Sequence, residues 1–115
     1  MKTLPVILLF LSSQVYACNC VEYSLEALSR LHIKIKVIPD IQTRDVSPYL
    51  GIYERGTVKI KDIENCHVML HEFVHHLQWE RNGDAKDMNE WHRREVQAEM
   101  VTRQAISAMS GEECK

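Results

Sequence analysis

The chain reads as an α+β domain with a short N-terminal helix, a small three-stranded sheet containing a hairpin, and two longer helices. Three observations predict this. His32–Ile38 alternates apolar and charged residues. Two β-rich runs meet across Arg55-Gly56, a turn dipeptide. Beyond Asn65, two long segments carry apolar residues at helical spacing and are separated by Asn82-Gly83-Asp84.

The first residues stand apart from this plan. MKTLPVILLFLSSQVYA places Lys2 before an apolar core and ends on small and polar residues, which predicts a signal peptide over residues 1–17. Its apolar run is too short to span a bilayer. The mature domain is then 18–115. Val15-Tyr16-Ala17-Cys18 also resembles a bacterial lipobox, so Cys18 is a candidate lipid anchor and the one route to a membrane. Cys18, Cys20, Cys66 and Cys114 all follow the cleavage point. An even number in a small exported chain predicts two disulfides, with Cys18 and Cys20 each meeting Cys66 or Cys114.

In the mature chain, Tyr23–Leu31 predicts a helix capped by Ser24, with Leu25, Leu28 and Leu31 recurring at threes. His32–Ile38 predicts a half-buried strand closed by Pro39-Asp40, and 41–48 a loop. Tyr49–Glu54 and Thr57–Ile63 predict the hairpin, with Gly51 weakening its first strand. Asn65 caps a helix from Cys66 to about Arg81, which Gly83 stops. The last helix runs from about Asp87 to Met109.

The chemistry lies in His71-Glu72-Phe73-Val74-His75-His76. On a helix, Met69, Leu70, Phe73, Val74 and Leu77 gather on one face. His71 and His75 lie beside it, one turn apart, so their rings can converge on one point. Glu72 points to the side, within reach of a water bound there but not placed as a ligand. Two neutral imidazoles suit a borderline-soft cation, and the carboxylate between them can take a proton from activated water. On the last helix, Met88, Trp91, Glu95, Thr102, Ile106 and Met109 form the stripe expected to face the core. A buried, unpaired Glu95 carboxylate would cost several kcal/mol. Coordination to a metal, or a salt bridge to a core arginine, removes that conflict.

His71-Glu72-x-x-His75, followed by Glu95-x-x-Ala98-Glu99, resembles the gluzincin metallopeptidases and, more narrowly, the zincin-like domains called minigluzincins. That resemblance implies one zinc ion per chain held by His71, His75 and Glu95, with Glu72 as general base and acid. It implies that Ala98 allows close helix packing. It also implies an edge strand, here Tyr49–Glu54, that receives an extended peptide. Metzincins fit less well, because Gln78 and Arg81 stand where they carry Gly and His. An aspartate ligand would have to be Asp84 or Asp87, both near the turn between the helices. The oxyanion-stabilising residue stays open among His92, Tyr49 and Tyr53. Glu99 and His92 flank Glu95 and are candidates to orient a ligand. His76 is expected to be exposed, His67 to be a surface histidine, and Trp79 and Trp91 to be packing residues.

Charge excludes one function class. Fourteen basic and sixteen acidic residues give a net charge of −2; loss of Lys2 with the leader leaves 13 against 16, or −3. That is no footprint for nucleic acid. The expected function is a small exported zinc metallopeptidase acting on a peptide or protein. The alternative is a zinc-binding, non-catalytic interaction protein of the same fold. Substrate specificity and oligomeric state are not written in the sequence.

Overall fold

The computed structural model describes residues 19–109. The expected leader, Cys18 and Cys114 lie outside the described residues. Within them the chain is an α+β domain of three helices and one three-stranded mixed sheet.

Helix α1 (Cys20–Ser29) begins three residues earlier than expected. Asn19, not Ser24, supplies the cap, its side-chain oxygen accepting from the Val21 and Glu22 amides. Ser24 instead turns inward with Tyr23, Ala27 and Leu28.

The strand expected over His32–Ile38 does not form. His32 has a φ of 60°, and Val37 and Ile38 are exposed. The Lys36 and Val37 amides donate to the Glu80 carboxylate on a neighbouring helix, and no sheet partner takes them. The alternation correctly marked Ile35 as buried. What it could not show was that a helix side chain would satisfy this backbone. The strand lies later, as β1 (Asp40–Thr43), in a stretch read as loop.

Strands β2 (Gly51–Glu54) and β3 (Thr57–Ile60) form the hairpin. Arg55 and Gly56 both have positive φ, 37° and 94°, as a two-residue hairpin turn requires. The sheet order is β1-β3-β2, with β3 parallel to β1 and antiparallel to β2. Val58 and Ile60 of the central strand are fully buried. β2 is left as an edge.

Helix α2 (Cys66–Asn82) starts at the Asn65 cap and stops at Gly83, whose φ is 71°. Its Met69, Leu70, Phe73, Val74 and Leu77 are the centre of the core. A disulfide joins Cys20 and Cys66, the first residues of α1 and α2. This is one of the pairings expected.

Helix α3 (Met88–Ala108) is capped by the Asp87 side chain, which accepts from the Glu90 amide. Its inward face is narrower than the expected stripe. Ala98, Thr102, Ala105 and Met109 are buried, whereas Met88 and Trp91 are exposed. Two alanines with no accessible surface let α3 lie close along α2, so long side chains are not needed there. The first turns of α3 extend past the core, and this carries Met88 and Trp91 into solvent.

Candidate metal centre

One turn of α2 separates His71 from His75, and their ring centroids are 4.9 Å apart with planes at 77°. The Glu95 carboxylate reaches between them from α3. Its Oε1 is 3.3 Å from His71 Nε2 and its Oε2 is 2.9 Å from His75 Nε2. One ligand atom from each of the three residues falls within 4.8 Å of the others, so the group can hold a metal ion.

The ring nitrogens turned away from that point are also occupied. His71 Nδ1 is 3.2 Å from Glu99 Oε1, and His75 Nδ1 is 2.8 Å from Gln78 Oε1. When these Nδ1 atoms donate, both Nε2 atoms present lone pairs inward. His75 Nε2 is fully buried and makes no hydrogen bond, although Glu95 Oε2 is only 2.9 Å away. The two atoms are close but not aligned as donor and acceptor. A buried nitrogen left in this state is costly unless a cation completes it. Two imidazoles and a carboxylate also form a three-ligand zinc set. The residues therefore fit a metal ion.

Burial sets the electrostatics. The His75 imidazolium is disfavoured chiefly by desolvation, with Gln78 and Glu95 opposing, so its pKa is lowered and the neutral ring favoured. Glu99, bonded to the Arg103 guanidinium at 2.9 Å, is held below the usual carboxylate range and stays an acceptor for His71. Glu72 is buried and stands outside the ligand triangle. Desolvation pushes its pKa up to about 7, with His71 opposing and Glu95 reinforcing the rise.

β2 passes directly over Glu72. A Cβ on Gly51 would lie 3.4 Å from Glu72 Oε2 and 2.7 Å from Val68 Cγ1, so only glycine fits this crossing without displacement. A cleft of about 1050 Å³ opens here, bordered by β2 on one side and the start of α3 on the other. Tyr49, Leu50 and Trp91 line it, and all three are exposed. Trp91 is thus a cleft residue and not a packing residue. Trp79 does pack, stacked on His76 and edge-on to Tyr53.

His76 is buried, contrary to expectation. Its Nε2 donates to the Val37 carbonyl, and its Nδ1 is 2.6 Å from the Tyr53 hydroxyl, which also accepts from the Gly56 amide. The same side chain thus ties the 32–39 segment and the hairpin to α2. It occupies Tyr53, whose pKa burial pushes up to about 12. Of the three oxyanion candidates, Tyr49 alone lines the cleft with its hydroxyl uncommitted among the described residues. His92 is exposed, its ring set edge-on against Trp91. Asp84 pairs with Arg55 and Asp87 caps α3, so neither joins the ligand group. His67 is half-exposed, as expected, with Nε2 3.4 Å from Glu99. Gln78 belongs to no motif of the sequence, and its one local signal is its position three after His75, a helical contact spacing.

No protein-family model, curated protein or solved structure matches the chain.

The Cys20–Cys66 disulfide points to a non-reducing environment of the kind found outside the cytosol. Among the described residues, no helix is long and apolar enough to cross a membrane.

Proposed function

We propose that this chain is a small exported zinc metallopeptidase of gluzincin type, resembling the minigluzincins. The observation that carries the reading is the meeting of His71, His75 and Glu95 beside buried Glu72, at the floor of a cleft bordered by an edge strand. Zinc held by those three residues would supply a Lewis acid that lowers the pKa of water and polarises a peptide carbonyl. Glu72, buried beside the three ligand residues, is suited to accept the water proton and return it to the leaving amine.

The hairpin register supports an extended substrate. The Lys61 amide donates to the Leu50 carbonyl, and Glu54 pairs with Thr57 beside the turn. Antiparallel alternation then turns the main-chain groups of Gly51 and Tyr53 away from β3, toward the free edge. A peptide added to that edge would meet Gly51 next to Glu72. The leader-like residues 1–17 and the disulfide support export, to the periplasm or the medium, or to a membrane surface if Cys18 is lipidated.

The test is metal analysis and peptide-library digestion of wild type, Glu72→Gln and Glu95→Ala. The proposal expects one zinc in wild type and in Glu72→Gln, zinc lost in Glu95→Ala, and cleavage only by wild type. Zinc retained with no Glu72-dependent cleavage would instead identify a non-catalytic metal-binding protein.

A further inference from the structure

We propose that Gln78 is a positioning residue for the metal ion: it locks His75 into the single tautomer able to bind through Nε2, and fastens that ring to the backbone that carries Glu95. The inference rests on reading His71, His75 and Glu95 as a metal site. The experiment below separates the two.

The orientation of the Gln78 amide is decided by its neighbours. One end lies 2.9 Å from the Arg94 main-chain carbonyl and 2.8 Å from Gln97 Oε1. A main-chain carbonyl only accepts, so the NH2 group must face it. The amide oxygen is thereby turned to His75 Nδ1, 2.8 Å away. An amide oxygen also only accepts, so Nδ1 must carry the hydrogen. A neutral imidazole has a single N–H, and Nε2 is left with its lone pair. This is the nitrogen that faces Glu95 with no hydrogen bond between them.

The second function of the amide is mechanical. Gln78 is buried, and both hydrogens of its NH2 go to α3. One goes to the carbonyl of the residue immediately before Glu95. The same side chain thus sets which nitrogen of His75 is free and holds the Glu95 backbone at the matching distance. At His71 the corresponding partner is the Glu99 carboxylate, which is more exposed and shared with Arg103 and His67. The two imidazoles are therefore held differently, one by an ion-paired acid and one by a buried amide.

Without Gln78 there is a competing state. His75, released from Gln78, would take the Nε2–H form that a free imidazole prefers, turn to donate to Glu95 Oε2, 2.9 Å away, and tie up two ligand atoms in one hydrogen bond. Partners behind a metal ligand typically change affinity by about 10- to 100-fold.

The test uses ¹⁵N-labelled, metal-free protein at mildly alkaline pH, where imidazoles are neutral. Long-range ¹H–¹⁵N spectra report which His75 nitrogen carries the proton. Wild type is expected to show Nδ1–H. Gln78→Leu should show Nε2–H with a folded spectrum, and should bind added zinc sulfate roughly 10- to 100-fold more weakly in competition with a chromogenic chelator. Gln78→Glu, which still accepts from Nδ1 but cannot donate to α3, should keep the wild-type tautomer, and covers the case in which Gln78→Leu does not fold. An Nε2–H tautomer in wild type, or in Gln78→Glu, overturns the proposal, as does unchanged zinc affinity in folded Gln78→Leu. If the tautomers shift as expected but wild type binds no zinc, the metal reading fails and the positioning role falls with it.

Discussion

Gly51 on the edge strand lies over Glu72 on the central helix: a Cβ built at position 51 would stand 3.4 Å from the Glu72 carboxylate, and neighbouring Val68 leaves that Cβ no room. The general-base candidate is thereby placed against the strand whose free main-chain groups border the cleft. Gly51→Ala should press on Val68 Cγ1, 2.7 Å from the new Cβ, and destabilise by about 1–3 kcal/mol. Removing the obstacle in Gly51→Ala/Val68→Ala should make the two changes clearly non-additive. Urea melts of the four proteins in the cycle measure this. Strict additivity would mean that the strand does not lie on Val68.

Glu72 predicts a pH dependence for the metal-free protein. Its folded pKa of about 7 lies above the ordinary value of 4.5, so folding favours its protonated form. The stability this contributes is complete below about pH 4.5 and is lost as pH rises to about 7. Wild type should thus lose stability relative to Glu72→Gln across this window, by on the order of 2–3 kcal/mol. Denaturant midpoints of both proteins between pH 4 and pH 8 give the difference directly, and a flat difference would show that Glu72 is not desolvated.

Metal should stabilise the fold through the three ligands. At zinc concentrations about a hundredfold above its dissociation constant, an ion bound only by the native state contributes about 2.7 kcal/mol. Thermal melts of wild type should rise with zinc and fall back on chelation. Glu95→Ala should show almost no shift, because it removes the carboxylate that lies 2.9 and 3.3 Å from the two imidazoles. An equal shift in both proteins would place the ion elsewhere.

The disulfide should matter for a domain of this size. Cys20 and Cys66 are 46 residues apart, and chain-entropy accounting gives about 4 kcal/mol for closing such a loop. Cys20→Ser/Cys66→Ser should fall short of wild type by about 2–4 kcal/mol in denaturant, and reductant should bring wild type to the same midpoint.

Much of the candidate site is legible in the sequence. The bounds of α2 follow from local signals: an asparagine whose side chain caps the start and a glycine that alone adopts the positive φ at the stop. Once that helix is granted, the four-residue spacing of His71 and His75 puts their rings on one side by geometry alone. The Arg55-Gly56 turn is equally local. Those features depend on residues within a few positions of one another, and pattern reading detects them for that reason.

Other features were decided by neighbours distant in the chain. Glu80 and His76 take the backbone of residues 36–37, so a run that alternates like a strand is held as an irregular segment. Ile35 is buried and Val37 is exposed, so alternation reports burial for part of the run and names no hydrogen-bond partner. The fate of His76 turned on Tyr53, and that of Trp91 on α3 extending beyond the core. Glu95 could be singled out as an acid on a mostly apolar stripe, but its distance from two imidazoles depends on how closely α3 lies against α2. Periodicity states which way a side chain faces; what it meets there is settled by packing between segments that share no local signal.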